Sequence, residues 1–299
     1  GAMRVDLPVS TLPTVFGEKV VIRLLTKDTS LINIEKLGFS RNNLNRFKNL
    51  IERPHGILLV TGPTGSGKST TLSAALNYLN SPEKNIITIE DPVEYQLHGI
   101  NQVQANPQVG LDFASALRSI LRQDPDIVMV GEIRDEETAR IAIRAALTGH
   151  LVLSTLHTND AVSSITRLVD MGIEPYLVAS TVIGVVAQRL IRRVCGSCKE
   201  RHEPSPDEMV LLGEIEEKDR FYRAVGCSKC NSTGYRGRIA VHEVLVVDDK
   251  VKELIVRGAN EPEIKDYCIK SGMTSLVQDG IYKYKEGITT YEELVRVLV

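Results

Sequence analysis

Four short, largely apolar runs set the plan of the chain: Ile57 to Val60, Ile86 to Ile89, Ile127 to Val130 and Leu151 to Ser154, each leading into polar residues. The stretches between them carry apolar residues at three- and four-residue spacing, as helices with one buried face do. Short strands alternating with helices predict a parallel sheet, because each helix carries the chain back before the next strand begins. All such strands end at one edge, where open α/β sheets bind their ligands. The polar residues behind the four runs are therefore expected to converge, although they are distant in sequence.

The flanking segments follow other patterns. Val5 to Leu25 is rich in β-branched residues (Val9, Val15, Val20, Val21, Ile22) and punctuated by Pro13 and Gly17, so it reads as strands, too few for a domain of their own. It is expected to be the tail of an N-terminal α+β domain. Leu31 to Arg53 places Leu44, Phe47, Leu50 and Ile51 on one helical face and stops at Pro54 and Gly56. Asp112 and Asp135 stand where they can cap two further helices. Arg118 and Arg122 lie four apart on the first, Arg140 and Arg144 on the second. A solvated face is the plain reading of such pairs, and subunit contact or sensing the alternative. Tyr176 to Ala187 reads as a buried helix, and Thr290-Tyr291-Glu292-Glu293 as a capping box before a last helix.

Composition narrows the class. At 299 residues and 42% hydrophobic, the chain can fill one main core and a smaller unit. A formal charge of −2 gives no positive field that would advertise nucleic acid. No run reaches the roughly 18 apolar residues of a bilayer span. Gly1-Ala2-Met3 looks like a tag remnant before an internal start. Four of five cysteines form C-x-x-C pairs, which suits a metal in a reducing compartment, so the expected location is cytoplasmic.

The chemistry begins at Gly62-Pro63-Thr64-Gly65-Ser66-Gly67-Lys68-Ser69-Thr70, which fits the phosphate-loop pattern G-x-x-x-x-G-K-[ST]. An apolar run precedes it and a helical stretch from Thr70 to Leu79 follows, the strand–loop–helix context this motif needs. The glycines let backbone N–H groups wrap phosphate oxygens, and the helix start adds its positive dipole end. Lys68 would neutralise the β- and γ-phosphates and Ser69 would ligate magnesium. Glu132 follows one hydrophobic run, and Glu90, Asp91 and Glu94 follow another. Hydrolysis needs such acids, one near the metal and one for water, although an acidic trio after a strand is also an ordinary cap. His157 alone reads equally as a structural histidine.

Cys195, Cys198, Cys227 and Cys230 form two knuckles whose spacing suits tetrahedral zinc without an open position. A redox dithiol is the competing reading. Glu203-Pro204-Ser205-Pro206 and the acidic stretch Glu214 to Asp219 read as an excursion between the pairs, and Cys268 as a small buried side chain.

Taken together, these motifs resemble the secretion ATPases of type II secretion and type IV pilus assembly, the GspE/PilB-like family. The resemblance runs over the phosphate loop, the acidic box from Ile89 to Tyr95, the stretch from Arg122 to Asp135 and the histidine box from Gly149 to Asn159. It implies a RecA-like P-loop core at 26–190 behind an N-terminal remnant at 1–25, a four-cysteine zinc module at 191–245 and a helical C-terminal subdomain at 246–299. It also implies that Glu94 is the catalytic glutamate, Glu132 the magnesium-side acid, and His150 and His157 the residues that sense or bridge nucleotide. Arg23 matches an arginine that reaches a neighbour's phosphates. The family's first such arginine is replaced, since this chain reads Pro8-Val9-Ser10-Thr11-Leu12-Pro13.

The implied activity is ATP hydrolysis with Mg2+ in a homohexamer that drives pilin or pseudopilin assembly. The implied partner is an inner-membrane platform protein, which would leave the enzyme cytoplasmic and peripheral to that membrane. Retraction ATPases of this kind generally lack the cysteine tetrad, so the tetrad argues for assembly. A nucleic-acid motor on the same fold, and a nucleotide-binding subunit with weak hydrolysis that Pro8 would explain, stand as alternatives.

Overall fold

The computed structural model describes residues 5–7, 9–22, 25–26 and 32–298. Pro8 and Arg23, and the expectations resting on them, lie outside the described residues. At the start, Val5–Asp6 (β1) pairs with Leu25–Thr26 (β4), and Val9–Thr14 (β2) pairs with Gly17–Ile22 (β3) in an antiparallel hairpin. Val15 and Phe16 form its tip, and Val9, Leu12, Val20 and Ile22 are exposed along it.

The next expected helix, Leu31 to Arg53, is shorter than its pattern. A single 3-10 turn spans Ile34–Lys36, and the helix proper, Arg41–Ile51 (α1), starts only after Ser40, whose hydroxyl accepts from Asn43 N. Gly38 separates the two with φ +85°, where a Cβ would meet Ile239 Cγ1 at 2.6 Å. Leading apolar residues fitted the helical period without belonging to the helix.

The core then runs Gly56–Thr61 (β5), Lys68–Leu79 (α2), Ile86–Glu90 (β6), Asn101–Gln104 (β7), Phe113–Ile120 (α3), Ile127–Val130 (β8), Glu136–Leu147 (α4) and Leu151–Leu156 (β9). Val162–Asp170 (α5), Pro175–Thr181 (α6), the long Val182–Val194 (β10), Glu200–Arg201 (β11), Pro206–Leu212 (α7), Tyr222–Arg223 (β12) and the long Tyr235–Val246 (β13) follow. Asp249–Val256 (α8), Glu261–Lys270 (α9), Leu276–Lys285 (α10) and Tyr291–Leu298 (α11) close the chain. Asp112 and Asp135 cap α3 and α4 as their positions predict.

One seven-stranded sheet has the order β13-β10-β5-β9-β8-β6-β7. All its pairings are parallel except β10 with β13. The mostly parallel sheet is thus observed, with an antiparallel ribbon on one side that the four apolar runs did not announce. Period-2 alternation packs both faces. Ile57 and Leu59 of β5 join the core under α3, α4 and the C-terminal helices, while Leu58 and Val60 join the core under α1 and α2.

The reading of Tyr176 to Ala187 as one helix is wrong. Its first part is α6, but from Val182 it becomes β10, buried between β5 and β13. A strand buried on both faces has no alternation to show, so length and β-branching had to decide. Ile183, Val185 and Val186 are β-branched, and Gly184 admits Leu50, whose Cδ1 a Cβ would approach to 2.6 Å. β10 also passes through the expected boundary at 190/191, and β13 belongs to the main sheet.

The capping box at α11 is half made. Thr290 Oγ1 accepts from Glu293 N at 3.4 Å, but the Glu293 carboxylate turns instead to Arg192, taking its backbone N–H at 2.8 Å and its guanidinium at 2.7 Å. Arg296 completes the cluster.

Candidate functional site

The polar residues behind β5, β6, β8 and β9 line one cavity of about 420 Å3. Its floor is the loop between β5 and α2. Gly65 and Gly67 take φ of +79° and +90°, a region open to glycine, and Gly67 is the N-cap of α2. Lys68 Nζ donates to Gly62 O at 2.8 Å and Pro63 O at 3.2 Å. Half-burial holds its pKa below the usual lysine value, with Glu132 and Glu94 pulling the other way. Ser66 Oγ is buried without a partner among the described residues, which suits a loop built to meet oxygens it does not itself carry. Ser69 and Thr70 open α2 on the same wall, with Thr70 Oγ1 3.4 Å from Tyr95 OH.

Glu132 stands behind β8 and lines the same cavity. Burial would raise its pKa, but its ion pair with Arg134 and the nearby His157 bring it below the ordinary carboxylate value. His157 Nε2 lies 3.4 Å from the Glu132 carboxylate. Glu94 and Asp91 face the cavity with exposed side chains. Glu90 is different: it is buried and accepts from Thr88 at 2.7 Å and Gln102 at 2.9 Å, and burial pushes its pKa up. Glu90 therefore lines the cavity while tied to the sheet, and Glu94 is the more open carboxylate.

The loop after β9 that carries His157 is fastened on two sides. Thr158 N donates to Thr61 Oγ1 at 3.0 Å, which ties this loop to the end of β5. Asp160 pairs with Lys265 of α9 at 2.9 Å, and Ala161 N donates to Glu243 of β13 at 2.9 Å. His150 is not brought to the site. It lies just before β9, at the sheet's opposite edge, with Nδ1 2.9 Å from Ala145 O and its carbonyl accepting from Gly56 N at 3.1 Å. The spacing inside the histidine box hid this, because β9 separates His150 from His157 by the full depth of the sheet.

Three residues that sequence reasoning passed over belong to the site. Leu190 and Arg238, from β10 and β13, line the cavity, and Gln188 of β10 holds the phosphate loop. Gln188-Arg189, a polar pair ending a buried apolar run, was the available signal for the last. Arg238 had none, since it reaches the cavity only through the register of β13 on β10. The paired arginines are mostly accounted for locally. Arg118 pairs with Glu137, Arg122 donates to Arg118 O at 2.9 Å, and Arg140 binds Glu136 and Glu174 at 2.7 and 3.0 Å.

The four cysteines meet beyond the end of β10. One sulfur from each comes within 4.8 Å of the others, with Cys195 to Cys227 at 4.0 Å and Cys198 to Cys230 at 3.8 Å. A tetrahedral zinc with sulfurs at about 2.3 Å would put them roughly 3.8 Å apart, so the set fits that ion. Backbone N–H groups of Cys227 and Gly234 point at Cys230 Sγ at 3.1 and 3.3 Å, which favours the thiolate that a metal would bind.

A family model described as "Type II/IV secretion system protein" matches residues 2–296. The chain belongs to this family. It is 55% identical over 298 residues to the type IV pilus assembly ATPase PilB of Thermus thermophilus, and 53% identical over 298 residues to the type II secretion system ATPase E of Vibrio cholerae. Each match takes in 99% of this chain, but 34% of the first relative and 59% of the second. Among solved structures, the pilus retraction motor PilT with bound ADP superposes with a TM-score of 0.71 at 29% identity, over 97% of this chain and 73% of that one. The Legionella pneumophila ATPase DotB superposes with a TM-score of 0.70 at 24% identity over 98% of this chain and 72% of that one, a likeness of fold. The family resemblance and the α/β fold expected from the motifs are both found.

Proposed function

We propose that the chain is the ATP-hydrolysing part of a motor for type II secretion or type IV pilus assembly. The observation that carries this is the convergence of Lys68, Glu94, Glu132 and His157 on a single cavity beside a phosphate loop. Loop N–H groups and Lys68 would bind the triphosphate, and Ser69 with Glu132 would hold Mg2+, which withdraws charge from the phosphates. Glu94 would orient and deprotonate water, and His157 would read the phosphate through its contact with Glu132. Leu190 and Arg238 would flank the base. Arg23 would serve a neighbouring subunit.

The relatives' names, an assembly ATPase and a secretion ATPase, support the machinery assignment without choosing between the two. The cluster of Cys195, Cys198, Cys227 and Cys230 would hold a structural Zn2+. The working form would be a homohexamer, cytoplasmic, held at the inner membrane by a platform protein. Among the described residues no helix is long and apolar enough to cross a membrane. The test is phosphate release from Mg-ATP by the full-length protein across a range of protein concentrations. Specific activity should rise with concentration as rings form and active sites are completed by neighbours. No release at any concentration would overturn the hydrolase reading, and stimulation by DNA would turn it towards a nucleic-acid motor.

A further inference from the structure

Gln188 is almost entirely buried, 2% exposed, and its side chain spends both ends on the phosphate loop and its helix. Nε2 donates to Ser66 O at 2.7 Å, and Oε1 accepts from the Thr71 hydroxyl at 2.7 Å. Thr71 is itself fully buried; its hydroxyl could donate or accept, so it is the Ser66 carbonyl, which only accepts, that sets which way the amide faces. The contacts continue through the backbone. A Cβ on Gly67 would lie 2.8 Å from Gln188 Nε2, and one on Gly62 would lie 2.4 Å from Gln188 O. Residue 188 thus packs closely against two of the loop's three glycines, through its side chain at Gly67 and its backbone at Gly62.

A peptide plane has its C=O and the following N–H on opposite sides. Holding Ser66 O from the β10 side therefore aims the Gly67 N–H the other way, across the loop. β10 is placed to do this because its last pairing with β5 is Ala187 opposite Thr61, which puts Gln188 beside the first loop residue.

We infer that Gln188, with Thr71, is a positioning residue of the nucleotide site: it braces the phosphate loop from the neighbouring strand and turns the Gly67 N–H towards bound phosphate. This rests on the nucleotide-binding reading above, but its direct consequence, loop order, is measurable without nucleotide. Loop N–H groups would meet phosphate in both the ground state and the transition state. Losing their alignment should therefore raise KM and leave kcat nearly unchanged.

The variants are Gln188→Leu, which removes both bonds at similar volume, Gln188→Glu, which keeps the acceptor for Thr71 but sets an oxygen against Ser66 O, and Thr71→Val. In the full-length protein without nucleotide, amide hydrogen exchange at Ser66 and Thr71, whose N–H groups donate to Pro63 O and Gly67 O, should quicken about tenfold in Gln188→Leu, and Mg-ADP should bind about tenfold more weakly, the scale of one buried hydrogen bond. Thr71→Val should give a smaller change in the same direction and add little to Gln188→Leu when the two are combined. Unchanged loop exchange and ADP affinity in both Gln188 variants would overturn the inference. So would faster exchange spread evenly over β5 and β10, which marks a core residue rather than a brace. If the unaltered protein binds no ADP yet its loop amides respond to Gln188→Leu, the bracing stands and the nucleotide reading falls.

Discussion

On one wall of the cavity, Lys68, Ser69, Glu94, Glu132 and His157 sit in loops and helix starts a few residues beyond parallel strands. On the other, Leu190 and Arg238 come from an antiparallel ribbon, where a side chain reaches the cavity only because β13 pairs with β10 in a particular register. The first wall tolerates change in the helices between its strands, since each loop brings its chemistry with it. The second depends on alignment along two long strands whose far end runs into the four-cysteine cluster. The phosphate wall should therefore fail by losing a charge, and the ribbon wall by losing its order.

The largest effect should come from the phosphate wall. Replacing Lys68 with alanine should weaken ATP binding on the order of a hundredfold, because a charge-assisted contact is lost and no other loop cation replaces it. Titration calorimetry checks this, and equal affinity would mean the cavity does not take triphosphate in this loop. The circular dichroism and thermal midpoint should stay near those of the parent, since among the described residues Lys68 Nζ donates to two loop carbonyls and no more.

At the ribbon's far end the expected pattern is the reverse. About one zinc per chain should be found by elemental analysis, and its removal by a chelator should open residues near 195–234 to protease and hydrogen exchange. Mg-ADP affinity should then change by a factor of about two, the ordinary coupling between separated sites. A total loss of nucleotide binding on chelation would erase the distinction between the walls.

The smallest effect concerns the tie between β10 and α11. Burial would raise the pKa of Glu293, but Arg296 and Arg192 bring it down to about 2. A carboxylate lowered on folding adds stability above its unfolded pKa, near 4.5, and loses it as pH falls towards 2. Glu293→Gln should lower the thermal midpoint by roughly 5 °C at neutral pH, with the gap closing as the pH drops below about 4. A gap that persists in acid would show that packing at this position matters more than charge.

The same contrast marks what could be read in the residues alone. The phosphate loop, Glu94, Glu132 and the cysteine pairs are local patterns, and the structure brings each of these groups together. β10 was missed because a strand enclosed on both faces shows no alternation, and Arg238 because register is not written in local spacing. His150 was grouped with His157 by proximity in sequence, although β9 carries them to opposite edges of the sheet. Glu90 shared an acidic box with Glu94 and lines the same cavity, but alternation along β6 also ties it to Thr88 and Gln102.

The position of β5 between β9 and β10 also bears on how the chain is made. The strand that leads into the phosphate loop is made about ninety residues before the first of its two neighbours, residues 151–156 and 182–194. During synthesis it must wait, with both edges unpaired, until residues 151–156 and 182–194 have left the ribosome. Contacts of such long sequence separation close slowly, and apolar strand edges exposed meanwhile invite association with other chains. Nucleotide would give little relief, because the loop it would bind is braced by Gln188, which arrives only with β10. The segment from Gly56 to Thr61 is thus the stretch for which a nascent-chain chaperone would matter most.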